Sequence, residues 1–215
     1  MTNKKELNSF RNHFYSFLSR LYLEEISKSM AKDIAENKFP IPDPEENTWM
    51  NKDMEKGFEI LQEYIKSNED PEKIKHQLDV EYTSLFHGPV SKDLYPYESY
   101  YIDNELRSDS LLEVKEFLRE INYGKSDDFP EPEDFIAFEL EIMRFLTNKP
   151  EFIEEKETIY KQKEFLRDHL ITWIPDFCDD LYEKTDSDFY KATSLITKGF
   201  LEFEKEFIGK IEKRK

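Results

Sequence analysis

Apolar residues recur at helical spacing along almost the whole chain, and this pattern most constrains the fold. In the first segment the apolar residues fall three or four positions apart and so share one helix face: Leu7, Phe10, Phe14, Leu18 and Leu21. Strand-like alternation of apolar and polar residues is absent, and the 215 residues include only five glycines. The sequence therefore predicts an all-α fold, a single all-helical domain over residues 1–215.

Two segments interrupt the helical pattern. Residues 39–47 carry prolines at positions 40, 42 and 44, which exclude a continuous helix, so a Pro-rich loop is predicted there. Residues 88–107 carry several tyrosines and are predicted to form an aromatic loop. Loops of this length in compact domains are usually functional or disordered, and the aromatic content argues against disorder.

Three local patterns predict features of other helices: a start, a central position in the bundle and a bend. Residues 110–113 read Ser-Leu-Leu-Glu, a capping-box pattern that predicts the start of a helix. Residues 133–148 are apolar on most sides at their centre, so this helix is expected to lie centrally in the bundle. Pro175 follows Trp173 and Ile174 and predicts a bend between two helical stretches.

The charge of the chain narrows its possible partners. Against 31 lysines and arginines stand 48 aspartates and glutamates, giving a net charge of -17 that repels nucleic acid and anionic lipid surfaces and attracts cationic peptides. No apolar run is long enough for a signal peptide or a membrane span, so we expect no membrane insertion. With Cys178 as the lone cysteine, a cytoplasmic location is expected.

Recognisable catalytic patterns are missing. The four histidines show no metal-ligand spacing, and the isolated glycines form no phosphate-binding loop. The expectation is therefore a binding protein without catalytic residues, metal or other cofactor, and not an enzyme. Two alternatives stay open on these residues alone: a general protein-protein interaction adaptor, or a helical enzyme with an unrecognised site.

Two segments carry a family resemblance. Residues 81–89 read EYTSLFHGP and are followed by PYESYY at 96–101, while residues 131–143 read EPEDFIAFELEIM. In order and spacing these resemble the two signatures of the TorD/DmsD-type, NarJ-like redox-enzyme maturation chaperones. Weaker similarities at 10–21, 169–175 and 189–190 extend the resemblance over most of the chain.

The resemblance implies an all-helical chaperone fold and a specific client. Family members bind the twin-arginine signal peptide, or the apoprotein, of a molybdopterin oxidoreductase and delay its export until the cofactor is inserted. Guanine nucleotide binding and domain-swapped dimers are also implied for some members, so the chain is expected to be a monomer or a swapped dimer.

A twin-arginine leader presents two guanidinium groups beside an apolar stretch, so its receptor needs carboxylates beside an apolar groove. We predict that Glu98 and Asp134 receive the arginines. The complete predicted site is Tyr82, Leu85, Phe86, Tyr97, Glu98, Ser99, Tyr101, Asp134, Phe135 and Glu139.

Six of these assignments have a structural alternative. Asp134 also suits a helix cap, Leu85 and Phe86 suit the core, and the loop residues Tyr97, Ser99 and Tyr101 also suit anchoring of the loop to the bundle.

Residues 135 and 139 raise two further points. A buried Glu139 would need a polar partner. Where the family usually has histidine after the aspartate, this chain has Phe135, which implies either more apolar leader recognition or a different client.

Overall fold

The computed structural model describes residues 4–42, 49–87, 94–126, 129–148 and 155–212. Its helices are α1 (Lys4–Leu23), α2 (Lys28–Ala35), α3 (Lys52–Ser67), α4 (Pro71–His87), α5 (Glu98–Asp103), α6 (Asp109–Glu120), α7 (Ile136–Thr147), α8 (Glu155–Phe165), the π-helix Leu166–Leu170, α9 (Ile171–Lys184) and α10 (Asp188–Glu212). Within the described ranges the extended pairing is limited to a single antiparallel bridge between Tyr97 and Phe135. The predicted all-α fold is confirmed.

The chain divides into two compact units. Unit 1 comprises residues 1–23, 96–174 and 208–215, and unit 2 comprises residues 24–95 and 175–207. Helices α9 and α10 each contribute residues to both units. The expectation of one domain over the whole chain stays a prediction.

Helix α7 forms the centre of unit 1, as its apolar sequence predicts. Nearly all of its residues are buried, and it packs against α1, α8 and the π-helix. Two polar side chains of α1 fix the α1–α7 contact. Ser19 Oγ donates to the carbonyl of Ala137 at 2.8 Å, and Asn12 Nδ2 donates to the carbonyl of Arg144 at 2.8 Å. These bonds satisfy polar groups that the close packing removes from water.

Helices α3 and α10 approach each other closely in unit 2, and two glycines permit this approach. A Cβ atom added at Gly199 would lie 2.8 Å from the backbone nitrogen of Met54, and one at Gly57 would lie 2.8 Å from Ile196 Cγ1. Asn51 holds the same contact together. Its Oδ1 accepts from the Met54 N–H at 3.1 Å and caps α3, while its Nδ2 donates to the Gly199 carbonyl at 2.8 Å.

The predicted aromatic loop is partly helical. Helix α5 occupies residues 98–103 and ends at Asn104, which adopts the left-handed conformation with φ of 56°. Residues 88–93 of that loop lie outside the described residues. In the predicted Pro-rich loop, residues 39–42 are non-helical, and residues 43–47 lie outside the described residues.

The start of α6 differs from the predicted capping box. The N-cap residue is Ser108, and its side chain makes no cap hydrogen bond. Ser110 instead donates from its backbone N–H and its hydroxyl to Asp103 Oδ2, at 3.0 and 2.7 Å. The capping-box prediction is wrong because a carboxylate from the preceding helix supplies the acceptor, and a charged acceptor is the stronger one.

The chain stays helical through Pro175, where a bend between helical stretches was predicted. Residues 155–184 run through α8, the π-helix and α9 without a non-helical residue, and Pro175 lies inside α9. A bend at Pro175 within this continuous helical run stays a prediction. Proline lacks the N–H that would donate a hydrogen bond to the preceding turn. Packing compensates for this loss, because Trp173, Ile174 and Phe177 are all fully buried.

Candidate functional site

Residues 96–101, the second stretch of the first motif, lie beside the second motif segment in unit 1, whereas residues 81–87 of the first motif belong to unit 2. Tyr97 pairs with Phe135 in the antiparallel bridge, the Glu98 N–H donates to the Asp134 carbonyl at 3.0 Å, and the Ile136 N–H donates to the Pro96 carbonyl at 3.0 Å. The rings of Tyr97 and Phe135 also contact each other, with centroids 5.5 Å apart. Three predicted acidic residues are thereby gathered in one place.

The cluster consists of Glu98, Asp134 and Glu139 with His169 and Trp173, and we call it the acidic cluster. The three carboxyl-bearing residues are at most 2% exposed. A buried carboxylate is stable only when hydrogen bonds or an opposite charge compensate for lost hydration. The partners of each carboxyl group therefore decide what the cluster can do.

Asp134 binds the first turn of α5. Its Oδ2 accepts from the Ser99 N–H at 3.2 Å and from the Ser99 hydroxyl, while Oδ1 has no hydrogen-bond partner among the described residues. Burial raises the pKa of Asp134, and the hydrogen bonds from Ser99 act in the opposite direction. Asp134 does not cap α7, the helix that follows it, because the N-cap residue there is Phe135, whose side chain makes no cap hydrogen bond. Asp134 instead caps α5 through Ser99.

Glu98 is paired with a histidine that the site prediction omitted. His169 Nδ1 lies 3.0 Å from Glu98 Oε2 and 3.2 Å from Oε1. His169 is carried by the π-helix, an element often found at functional positions. The ring of Phe165 packs on the imidazole with centroids 4.7 Å apart, which keeps the pair away from water.

Glu139 has the polar partner that its burial requires. Trp173 Nε1 donates to Glu139 Oε2 at 2.9 Å, while Oε1 has no hydrogen-bond partner among the described residues. Burial, and after it the negative charge of Glu98, raise the pKa of Glu139 well above its ordinary value. The cluster thus favours a protonated Glu139 beside its two acidic neighbours.

Aromatic side chains enclose the cluster. Tyr101 places its ring against Trp173, with centroids 5.6 Å apart, and the Tyr97 hydroxyl donates to Glu131 Oε2 at 2.8 Å. The ring of Phe135 also contacts the ring of Phe129, with centroids 6.5 Å apart. The position that the family usually gives to histidine is therefore filled by an apolar contact, and Trp173 supplies the donor to Glu139.

The other three predicted site residues belong to unit 2. Tyr82, Leu85 and Phe86 lie on α4 and are buried, and the Tyr82 and Phe86 rings have centroids 5.0 Å apart. Phe86 also contacts Tyr190, with centroids 6.2 Å apart. The core alternative for Leu85 and Phe86 agrees with this burial. A role of all ten residues in leader binding stays a prediction.

His169 and Trp173 are the cluster residues that the site prediction missed. The weaker similarity at 169–175 was the signal that pointed to this segment. A sequence pattern does not show which residue a distant side chain binds, and His169 lies 71 positions from Glu98.

Two kinds of feature are absent from the part of the chain that the structure describes. Its His, Cys, Asp and Glu side chains form no group of three or more arranged to hold a metal ion. Among the same residues, no helix combines the length and the apolar character needed to cross a bilayer.

Proteins similar to this chain are named as chaperones. The chaperone protein TorD of Aliivibrio salmonicida is 25% identical over 95% of this chain and 98% of its own length. The probable Tat proofreading chaperone DmsD of Haemophilus influenzae is 31% identical over 58% of each chain. These relatives are named as chaperones and not as enzymes.

A solved structure and a family profile point to the same family as those relatives. The crystal structure of a putative redox enzyme maturation protein from Archaeoglobus fulgidus has a TM-score of 0.50 and 24% identity, covering 89% of this chain and 93% of that one, which shows the fold. The profile described as "Nitrate reductase delta subunit" matches residues 48–179, more than half of the chain. The protein therefore belongs to the nitrate reductase delta subunit family, to which the TorD-type chaperones belong.

Proposed function

We propose that this protein is a cytoplasmic chaperone for the maturation of a molybdopterin-containing oxidoreductase. It binds the twin-arginine signal peptide or the apoprotein of that enzyme and delays export until the cofactor is inserted. Family membership and the names of the relatives support the chaperone role. The observation that carries the client-binding part is the acidic cluster, in which Asp134 and Glu139 each keep one buried carboxyl oxygen without a partner in the part of the chain that the structure describes.

The chemistry of the cluster suits a guanidinium group. Arginine carries five N–H donors in a planar fork and pairs with carboxylates through two parallel hydrogen bonds. Asp134 Oδ1 is an acceptor that such a fork would satisfy, and Glu139 Oε1 becomes a second one when the cation displaces the proton held by Glu139. Each charge-assisted bond contributes about 1.5 to 3 kcal/mol when it is shielded from water, so two such contacts and the apolar stretch reach micromolar affinity or better.

Access to the cluster requires a local movement. Glu98 and Asp134 are buried, and residues 97–103 lie against the start of α7 through the bridge and the Glu98 and Ile136 backbone bonds. We therefore expect the short helix α5 to shift when a leader binds. A six-residue helix is a suitable element for this, because it has few internal hydrogen bonds to lose.

Titration with a fluorescent twin-arginine leader peptide tests the proposal, with the same peptide carrying a lysine pair as its control. We expect saturable binding of the arginine peptide and at least about tenfold weaker binding of the lysine peptide, because a lysine ammonium lacks the planar fork. Equal affinity for both peptides would contradict recognition of the arginine pair.

Conservative variants of the cluster locate the site. Glu98→Gln combined with Asp134→Asn keeps the side-chain shapes and removes two potential charges, so leader affinity is expected to fall by about tenfold or more. The matched control is Asp109→Asn with Glu113→Gln, two exposed carboxylates on α6. A folded cluster variant that binds as tightly as the control would exclude this site.

Other implications of the resemblance stay predictions. They are guanine nucleotide binding and the choice between a monomer and a domain-swapped dimer. We propose no resident cofactor and no catalytic residue for this chain.

A further inference from the structure

An open groove of about 490 Å³ lies in unit 2. Its walls come from the end of α3, the middle of α4 and the start of α10, and they include Tyr64, Val80 and Glu81. None of its residues belongs to the acidic cluster. The groove is therefore a separate feature of the surface.

The charge of the groove is negative. Glu81, Asp186 and Asp188 line it, and none of its lining residues is a lysine or an arginine. Among the described residues Asp186 and Asp188 form no ion pair, and both are exposed. Glu81 Oε1 accepts from the hydroxyl of Thr185, which fixes the glutamate at the groove wall. A cationic group in the groove would meet three carboxylates, and His76 is the one lining residue able to carry a competing positive charge.

A second observation points to a ligand that also accepts a hydrogen bond. The hydroxyl oxygen of Tyr64 is shut off from solvent and has no hydrogen-bond partner among the described residues. Burial, and after it the negative charge of Asp188, raise the pKa of Tyr64 to about 12, so the hydroxyl keeps its proton at neutral pH. Buried donors without an acceptor are rare, because each costs free energy.

Apolar contact is also available in the groove. Val80 on α4 is 57% exposed although it is a large aliphatic residue on the groove wall. A peptide segment combines what these groups require: a cationic side chain, a backbone carbonyl as acceptor and aliphatic carbon atoms.

We propose that this groove binds a basic, extended peptide segment. A cationic side chain pairs with Asp186 and Asp188. A backbone carbonyl accepts from the Tyr64 hydroxyl after the half-buried Tyr64 side chain turns toward the groove, because this hydroxyl is closed to solvent in the free protein. The segment is part of the client polypeptide, and in this respect the inference rests on the proposed function. The groove gives the chaperone a second contact with its client, apart from the acidic cluster.

Tyr64→Phe tests the hydroxyl contact. The variant keeps the ring that packs on Phe189, with centroids 5.8 Å apart, and removes a hydroxyl that has no partner among the residues described for the free protein. We expect the stability of the free protein to be unchanged or increased, and the affinity for an arginine-bearing peptide without an apolar stretch to fall by about 2- to 10-fold. Unchanged affinity would overturn the hydroxyl contact.

Asp186→Asn with Asp188→Asn tests the charge contact. Asp109→Asn with Glu113→Gln is the matched control, since it removes the same number of charges and Asp109, like Asp188, lies in the first turn of a helix. We expect about a 3- to 20-fold loss of affinity in the groove variant and a smaller loss in the control. Equal losses in the two variants would overturn the groove as a site.

The two proposals fail in different ways. Each variant is titrated with the complete twin-arginine leader and with the polar arginine-bearing peptide. If the wild-type protein does not bind the leader but binds the polar peptide through the groove, the proposed function fails and the groove site stands. If the leader binds with cluster dependence and no peptide depends on the groove, the proposed function stands and the groove site fails.

Discussion

At the scale of single residues, the acidic cluster shows how three buried carboxyl groups are accommodated in different ways. Glu98 faces His169, Asp134 accepts from Ser99, and Glu139 accepts from Trp173. For Asp134 and Glu139 the compensation for lost hydration is only partial, because each keeps one oxygen without a partner among the described residues. The titration of Glu139 should therefore be visible in the stability of the protein.

Glu139→Gln is expected to change how stability depends on pH. The pKa of Glu139 is raised in the folded state above its ordinary value of 4.5, so the folded protein holds this proton more tightly than the unfolded chain. The stabilisation is complete below about pH 4.5 and is lost as pH rises toward the folded-state pKa. Urea unfolding between pH 4.5 and 8 should show the wild type losing stability relative to the variant, by at most about 1.4 kcal/mol per pH unit.

Asp103→Asn provides a control of opposite sign. Hydrogen bonds from the Ser108 side chain, and then from Ser110, lower the pKa of Asp103 below its ordinary value of 3.8. Its stabilisation is present above that value and is lost as pH falls through the folded-state pKa, so urea unfolding of this control is extended below pH 3.8. A stability difference between wild type and Glu139→Gln that stays constant across the pH range would contradict the protonated state inferred for Glu139.

At the scale of elements, close approach of α3 and α10 depends on the absence of a side chain. Gly199 lies inside α10, where glycine is unfavourable by about 0.5–1 kcal/mol relative to alanine. A Cβ there would meet Asn51 Oδ1 at 2.5 Å and the Met54 backbone at 2.8 Å. The cost in helix propensity is offset by the packing and by the Asn51 bond that the short distance permits.

Gly199→Ala is expected to destabilise the protein by about 1–3 kcal/mol, since an added methyl group in a packed contact forces neighbouring atoms apart. Gly209→Ala is the matched control on the same helix, because no atom lies within 4 Å of its added Cβ. It is expected to stabilise by about 0.5–1 kcal/mol. Chemical denaturation measures both, and a stabilised Gly199→Ala variant would contradict the close approach.

At the scale of the whole molecule, the net charge of -17 acts on any cationic client. It increases the rate of encounter with a basic leader and repels other polyanions. This attraction is general, whereas the acidic cluster and the groove act at fixed positions. Salt separates the two contributions, because charges exposed to water are screened beyond about 8–10 Å at physiological ionic strength.

Leader affinity is expected to fall as salt rises from about 50 to 200 mM, while the preference for arginine over lysine persists. The general attraction is screened, but a bidentate contact in a buried site is screened much less. The titration is repeated at both salt concentrations with both peptides. Binding that disappears for both peptides at the higher salt would mean that the net charge alone attracts them.

The sequence by itself determined the all-α fold, the central position of α7 and the segments that contribute Glu98, Asp134 and Glu139 to the acidic cluster. These follow from local properties: helical periodicity, the run of apolar residues from Ile136 to Met143, and motif order. Local propensity determines the ends of helices less strongly, and tertiary contacts overrode it in two places. Asp103 accepts the hydrogen bond from Ser110 at the start of α6, where a capping box was predicted. Residues 98–103 of the predicted aromatic loop form α5.

Only the tertiary structure decided the partners of the buried carboxyl groups and the place of the groove. Glu98 and His169 are 71 positions apart, and Glu139 and Trp173 are 34 apart. No local pattern encodes such pairs, because folding brings them together through the packing of helices. The Tyr64 hydroxyl, which has no partner within the described ranges, is likewise a property of the fold, since only packing removes a side chain from water.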